Sequence, residues 1–267
     1  MPTDVSVSLQ QKNPRMTELR PCILIPVYNH PHSISGVCAS VAHLQLPILL
    51  VDDGCDAECA RVLDQLAGQG HHLLRLPCNQ GKGAAVRAGL QRAEELGFSH
   101  ALQIDADGQH AVTDLPAFLH IPRHAPSSLV IGYPRYDDSV SRLRFYGRYA
   151  THVWVWINTL SLDIRDSMCG ARLYPVHEIN ALLRRHSCGN RMDFDTEVLV
   201  RWHWSGGQLH NLPVRVHYPV DGVSHFRLWR DNLHISAMHA RLFFGMLCRL
   251  PRLLAQRLRR DKGALAE

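Results

Sequence analysis

Two carboxylates, one residue apart, close a short apolar run in the stretch His100-Ala101-Leu102-Gln103-Ile104-Asp105-Ala106-Asp107-Gly108-Gln109-His110. On a strand, positions i and i+2 share a face, so Asp105 and Asp107 are expected to point the same way where the strand gives out. Two anionic groups that close repel each other unless a cation sits between or beside them. Hard oxygen ligands select Mg²⁺ or Mn²⁺, and Mg²⁺ in particular usually keeps positions for phosphate oxygens and water. The chemistry expected here is a metal on a diphosphate. The plain alternative is a solvated Asp-Gly turn.

Three other stretches carry polar groups of the right kind. Tyr28-Asn29 follows the apolar run Pro21 to Val27, and Asp52-Asp53-Gly54 follows Leu46 to Val51. Asn79-Gln80-Gly81-Lys82-Gly83 opens a helical pattern that runs to about Leu96. A helix N-terminus there would face an anion with its free N–H groups and Lys82 nearby. It is not a Walker loop, because Leu76 and Gly83 stand where that motif needs glycine and Ser/Thr. Close packing of the glycines against a sheet explains them equally well.

The elements that must position these groups alternate. Strands are expected at Pro21–Val27, Leu46–Val51, His72–Leu76, the run into Asp105, and Ser128–Tyr133. Helices are expected at about Ser33–Leu44, Glu58–Leu66, from the glycine-rich loop to about Leu96, and Leu115–His120. This order indicates an α/β protein with a mostly parallel, helix-covered sheet. Ligands of such sheets bind beyond the carboxyl ends of the strands. Tyr28-Asn29, Asp52-Asp53 and Asp105-Ala106-Asp107 would then converge on one edge. The second half is less regular: helices at Arg142–Thr159, Ile179–Arg185 and Phe194–Trp204, a polar turn at Asp166–Arg172, and a strand at Gln208–Tyr218.

With 267 residues and 46% hydrophobic content, a sizeable core is available, and 20% charged residues is ordinary globular composition. None of the eight cysteines forms a C-x-x-C pair, which favours reduced thiols over a metal site or a disulfide framework. No stretch has the length and apolarity of a membrane span. Between Arg227 and Arg260 lie eight arginines against one acid, Asp231, which exceeds the whole net charge of +5. The body is therefore not coated for nucleic acid. The basic segment, with Trp229, Phe243, Phe244 and its leucines, suits a membrane surface or a partner, and Pro251 is expected to interrupt its helix. The organisation expected is a flexible leader (1–19), one domain (20–226) and a basic amphipathic tail (227–267).

In their order, Ile25-Pro26-Val27-Tyr28-Asn29, Val51-Asp52-Asp53-Gly54, Asn79-Gln80-Gly81-Lys82-Gly83 and Asp105-Ala106-Asp107-Gly108-Gln109-His110 resemble the family-two glycosyltransferases. The resemblance is closest to the dolichyl- and polyprenyl-phosphate sugar transferase branch. It continues through Asp166-Ser167-Met168-Cys169-Gly170-Ala171-Arg172, Phe194-Asp195-Thr196-Glu197-Val198-Leu199-Val200-Arg201, and Pro213-Val214-Arg215-Val216 to Ser224-His225-Phe226-Arg227.

That resemblance implies a glycosyltransferase A-type nucleotide-sugar-binding fold and assigns roles. Pro26, Tyr28, Asn29, Asp52 and Asp53 would hold the nucleoside. Asp105 and Asp107, with Gln109, would hold Mg²⁺ or Mn²⁺ on the donor diphosphate. Arg172 and Lys82 would add positive charge, and Asp195 or Glu197 would act as base toward a hydroxyl acceptor. A phosphate acceptor would need none. The reaction implied is an inverting, metal-dependent transfer from a nucleotide-diphospho-sugar to a lipid-linked acceptor, such as polyprenyl phosphate or a membrane-associated hydroxyl. The setting implied is cytoplasmic, on the inner face of a membrane.

Two departures bear on the acceptor. The branch often carries C-terminal membrane spans, and its Ser-Gly-Phe-Arg is here Cys169-Gly170-Ala171-Arg172. Two rival readings are a non-catalytic membrane-docking adaptor that kept the fold and a haloacid-dehalogenase-like phosphatase. The second has its motifs in the wrong order, since Gln109 follows the Asp-x-Asp-Gly segment and the acidic pair precedes it.

Overall fold

The computed structural model describes residues 19–109, 111–135, 142–216 and 228–264; the side chains of 142–147, 150, 228–230 and 258–264 are not described. The expected leader up to residue 18, His110, and the segment holding Ser224-His225-Phe226-Arg227 lie outside the described residues.

Seven strands form one sheet in the order β3-β2-β1-β4-β6-β5-β7. They are β1 (Pro21–Val27), β2 (Ile48–Asp52), β3 (His72–Arg75), β4 (His100–Gln103), β5 (Leu129–Arg135), β6 (Arg172–Pro175) and β7 (Leu209–Arg215). β1, β2, β3 and β4 run parallel, and β5 pairs in parallel with β7. β6 alone runs against its neighbours β4 and β5.

The strand sequences read as continuous apolar runs because both faces are covered. Along β1 the side chains divide between two cores. Cys22 and Leu24 join one that includes α3 (Lys82–Glu95), α6 (Val176–Arg185) and α7 (Phe194–Trp204). Ile23, Ile25 and Val27 join the other, with α1 (Ile34–Val41), α2 (Ala57–Gly68) and Phe118 of the short α4 (Pro116–His120). Each fully buried Leu or Ile contributes roughly 1.5–3 kcal/mol. α3 lies close on β1 and β2 because its inward face is small: a Cβ at Gly89 would collide with Leu24. Asp56 caps α2 by accepting the Cys59 N–H at 2.9 Å.

Three local expectations are corrected. β4 ends at Gln103, so Asp105 and Asp107 sit on the turn after it rather than on a strand face. The Asp107 carboxylate accepts the Gln109 N–H at 3.0 Å, the local bond that makes aspartate a turn former. The second correction is β6, which sequence patterning left as Leu173-Tyr174-Pro175 after a turn. Four residues are too short to show a period, and only pairing with β4 and β5 makes them a strand. The third concerns Pro251, which does not break the last helix, α8 (Leu228–Ala264). Pro251 and Leu247, whose carbonyl loses its donor to the ring, are both exposed, so that end of the turn is open to solvent.

α8 also buries Met238, Leu242, Met246 and Leu253 in the same core cluster as α3 and α7. It packs along α5 (Arg142–Thr159). Trp204 of α7 donates its indole N–H to the Asn158 carbonyl of α5 at 2.8 Å, and the Arg249 guanidinium of α8 lies 4.9 Å over the Trp204 ring.

At the α5–α8 seam His239 is 6% exposed and meets Asn158 at 3.4 Å and the Trp154 ring. Burial pushes its imidazole down to about 4 from the ordinary 6.5. A neutral buried histidine supports the fold fully above pH 6.5, and that support is lost as pH falls from 6.5 toward 4. Lowering the pH from 7.5 to 5 is expected to remove about 2 kcal/mol through this residue. Urea unfolding of the wild type and His239→Leu at both pH values checks it, since the variant should show a correspondingly smaller pH dependence.

Candidate active site

The carboxyl ends of β2, β1 and β4 are neighbours in the sheet, and the polar groups expected to converge do so. At the β1 end are Pro26, Tyr28 and Asn29. Asn29 takes a left-handed conformation (φ 53°) and accepts the Asp56 N–H at 2.8 Å, while its own N–H meets Cys55 Sγ at 3.3 Å. Asn29 therefore ties the β1 loop to the β2 loop.

Asp52 and Asp53 lie at the end of β2, 1% and 2% exposed, with internal partners on both oxygens. Asp52 accepts the Cys55 N–H at 2.8 Å and Arg75 Nε at 2.7 Å. Burial works against its charge, but those donors outweigh it and hold it below the usual carboxylate value. Asp53 accepts the N–H groups of Gln80 and Gly81 at 2.8 and 2.9 Å and the Asn79 amide at 3.1 Å. Burial is the larger influence on Asp53, and its pKa is raised. The structural task of the acidic pair is thus to latch the loop ahead of α3.

That latch decides what the α3 N-terminus offers. Gln80 and Gly81 give their N–H groups to Asp53, and Ala84 gives its own to the Asn190 carbonyl at 3.0 Å. Of the four N–H groups at this helix end, those of Gly81 and Ala84 are therefore engaged by the protein itself. The glycines serve approach. Gly81 has φ +101°, and a Cβ on Gly83 would collide with Phe194 of α7. The close fit brings Lys82, the first residue of α3, between two carboxylates. Its Nζ lies 2.7 Å from Asp105 Oδ1 and 3.1 Å from Asp195 Oδ2. Burial disfavours the ammonium, but Asp105 and Asp195 outweigh it and raise its pKa.

The two acidic residues of α7 part company here. Asp195 joins Lys82, and its Oδ1 lies 3.3 Å from Arg172 Nη1. Glu197, 0% exposed, accepts Arg201 on one oxygen, at 2.7 Å from Nη2 and 3.1 Å from Nε. Its other oxygen accepts the Gly189 N–H at 2.9 Å and Arg241 of α8 at 3.1 Å. Sequence alone left the choice between them open. In the structure, Asp195 faces the Lys82 cluster and Glu197 binds α8 and the 186–193 loop to the body.

Arg172 lies inside the protein. It is 0% exposed, and its guanidinium donates to the carbonyls of Cys169, Ser167 and Asp195 at 2.9, 2.7 and 2.7 Å. It sets the 167–169 turn and the start of α7 in place.

Beside Asp105 lies a cleft of about 170 Å³, lined by Asp105, Gln109, Arg148, Met168, Cys169, Gly170 and Val216. Arg148 was missed by sequence reasoning. It grips Asp166 in a fork, at 2.6 and 2.8 Å, and His152 Nε2 adds a third contact at 3.2 Å. Burial opposes the Asp166 charge, yet His152 and Arg148 pull its pKa well below the usual range. The available signal was the i, i+4 spacing of Arg148 and His152 on one helix face. Segments 136–141 and 217–227, which flank lining elements, lie outside the described residues.

The oxygen donors of Asp105, Asp107 and Gln109 suit a hard divalent ion. Gly170 leaves a cradle beside Asp105, since a Cβ there would collide with the carboxylate. Among the described residues no group of three His, Cys, Asp or Glu stands ready to hold a metal. A bound ion would therefore keep most of its positions for phosphate and water, which is the usual habit of Mg²⁺. Gly170→Ala is expected to displace Asp105 and lower turnover by about tenfold or more while melting shifts little. Steady-state kinetics beside a thermal melt would check this.

A mostly parallel sheet with acidic groups at adjacent carboxyl ends defines a nucleotide-sugar-type α/β fold, and the comparisons agree. The sequence model of Glycosyl transferase family 2 matches residues 22–191, so the chain belongs to that family. Among curated relatives is a polyprenol monophosphomannose synthase of Mycolicibacterium smegmatis, 32% identical over 171 residues, covering 58% of this chain and 61% of the relative. Another is an undecaprenyl-phosphate 4-deoxy-4-formamido-L-arabinose transferase of Klebsiella pneumoniae, 27% identical, covering 61% and 51%. The chain thus spans between half and two thirds of the length of these relatives. Among solved structures, glucosyl-3-phosphoglycerate synthase from Mycobacterium tuberculosis, in complex with Mn²⁺, UDP-glucose and phosphoglyceric acid, aligns with a TM-score of 0.59. It is 15% identical and covers 88% of this chain and 80% of that one. The protein is therefore in the glycosyltransferase class and related to the polyprenyl- and dolichyl-phosphate sugar transferases.

Proposed function

We propose that the protein transfers a sugar from a nucleotide-diphospho-sugar to a lipid-linked acceptor such as polyprenyl phosphate, with inversion at the anomeric carbon. The observation that carries this reading is the meeting of Asp105, Lys82 and Asp195 at the carboxyl edge of the sheet. The nucleoside would lie over Pro26, Tyr28 and Asn29, in a pocket whose floor the latched Asp52 and Asp53 keep rigid. Asp105 and Asp107, with Gln109, would hold Mg²⁺ or Mn²⁺, which neutralises charge on the departing diphosphate.

Direct displacement needs an acceptor oxygen in line with the leaving group. Asp195, fixed by Lys82 and Arg172, is the carboxylate placed to orient that acceptor or to take the proton of a hydroxyl. A phosphate acceptor arrives already anionic and needs no base. Supporting the acceptor class are the names of the relatives, which act on polyprenyl, undecaprenyl and dolichyl phosphates.

The route to such an acceptor is the outer face of α8 and α5. Leu233, Phe244, Leu247 and Leu254 of α8 are exposed in one stripe, with Arg241 and Arg252 at its flank. Tyr149, Val153, Trp154 and Ile157 are exposed on α5. Among the described residues no helix is long and apolar enough to cross a membrane. Apolar side chains bordered by arginine suit adsorption to an anionic bilayer surface.

The test is a transfer screen. The purified protein is offered UDP- and GDP-sugars with Mn²⁺ or Mg²⁺, and polyprenyl phosphate in anionic vesicles. Metal-dependent formation of a lipid-linked sugar is expected. Absence of transfer and of nucleotide-sugar binding for every donor would end the reading, and failure to co-sediment with the vesicles would end its membrane part.

A further inference from the structure

The chain contains 29 basic Lys and Arg residues, but its lysines are only Lys12, Lys82 and Lys262. Among the described residues, Lys82 is the lysine at the candidate site. Arginine is used elsewhere for fixed forks, as in Arg148 on Asp166 and Arg172 on its three carbonyls. An ammonium differs from a guanidinium in being a compact charge on a flexible stem, able to change partners without losing a planar match. Lys82 touches two carboxylates from separate elements, Asp105 after β4 and Asp195 on α7.

We infer that Lys82 is the resident cation of the site, holding Asp105 in the metal-free protein and yielding it when a divalent ion enters with the donor diphosphate, while keeping Asp195. The inference rests on the metal reading given under the proposed function. Three features of the structure support it.

The ammonium is bonded to the same Asp105 carboxylate that the metal would need, at 2.7 Å from Oδ1. An ion approaching Asp105 therefore meets a carboxylate whose charge Lys82 already compensates. Lys82 also has somewhere to go. Asp195 Oδ1 is buried and has no hydrogen bond, since Arg172 Nη1 lies 3.3 Å away without the alignment for one. The carboxylate thus keeps capacity for the displaced ammonium. Finally, the backbone around Lys82 is fixed by Asp53 and by Asn190, so the exchange needs only side-chain rotation.

The consequence is that the metal alone binds weakly and binds well only with a diphosphate, whose charge compensates for the ammonium left nearby. Lys82 is on this account a positioning residue that makes metal and donor arrive together.

Two measurements test it without turnover. Free Mn²⁺ is measured by electron paramagnetic resonance in titrations of the wild type, Lys82→Gln and Arg191→Met. Lys82→Gln is expected to bind Mn²⁺ alone about tenfold tighter, the scale of one charge-assisted hydrogen bond. Arg191→Met removes an equal charge near the site from a residue whose Nη1 meets Asn79, 3.5 Å away, and should change little. Should Lys82→Gln fail to fold, the wild type is labelled with ¹⁵N-lysine, where three side-chain signals are the most the chain can give. The Lys82 ammonium signal is then expected to shift as Mg²⁺ is added. Equal Mn²⁺ affinity in wild type and Lys82→Gln, equal tightening by Arg191→Met, or a Lys82 signal unmoved while Mg²⁺ saturates would overturn the inference and leave the metal reading intact. Mn²⁺ binding by none of the proteins, with or without a nucleoside diphosphate, would remove both.

Discussion

Asp107→Ala is expected to reduce sugar transfer by about 10²–10³-fold or more, the scale seen when one preorganised group that stabilises developing charge is removed. Asp105→Asn should fall in the same range for a double reason. It removes an anionic oxygen from the proposed metal site and frees Lys82 from one of its two partners. Both residues are half-buried on a turn and belong to neither strand nor helix, so their loss leaves the sheet intact. The variants should therefore melt close to the wild type while Mn²⁺-dependent binding of the nucleotide sugar weakens. The measurement is a binding titration in Mn²⁺ with parallel melts. If Asp107→Ala binds the donor with unchanged affinity, the stretch Asp105–Gln109 is the solvated turn of the plain alternative.

The second large effect separates Asp195 from Glu197, which the sequence presents as equals two positions apart. Asp195→Asn is expected to lower transfer by about 10²-fold or more, because Asp195 lies in the Lys82 cluster, and to lower melting as well, since Lys82 and the buried Arg172 lose a carboxylate. With a phosphate acceptor, which needs no base, the loss would reflect the loosening of Lys82. Glu197→Gln should cost stability while sparing transfer. It leaves Arg201 and Arg241 without their anion at a fully buried position. Removing one partner of a buried pair costs about 3–5 kcal/mol, and the exposure of Arg241 reduces this to about 2–3 kcal/mol. Melting should fall by several degrees. Residual activity, measured well below the new melting point, should stay within about tenfold of the wild type. Loss of activity in Glu197→Gln with unchanged melting would reverse the two assignments.

The different effects on transfer arise from helix geometry. Positions 195 and 197 lie about 200° apart around α7, so one faces α3 and β6 and the other faces α8. Glu197 also connects distant parts: Arg241 of α8 and Gly189 of the 186–193 loop share its second oxygen. The same loop receives Arg87 of α3 at the Cys188 carbonyl, 2.7 Å away. The last helix is thereby tied through Glu197 to the loop that braces Lys82. The segment expected as a tail is integral to the site's support.

By itself, the sequence determined the local chemistry and the order of elements. Apolar runs ending in Tyr28-Asn29, Asp52-Asp53 and Asp105-Ala106-Asp107 announced parallel strands, because only strands covered on both faces are apolar throughout. The ordered motifs were enough to identify the family. What tertiary structure alone decided is which of the polar groups remain available for chemistry. Asp52, Asp53, Glu197 and Arg172 have the residue types of a binding site, yet internal partners engage them at 1%, 2%, 0% and 0% exposure. Lys82 stands at the helix N-terminus that the sequence indicates, and it also bridges carboxylates more than twenty and more than a hundred positions away. β6 and the Arg148–Asp166 fork likewise depend on partners remote in the chain. A sequence records the donors and acceptors each residue carries, but the long-range pairing that uses them up exists only once the chain has closed on itself.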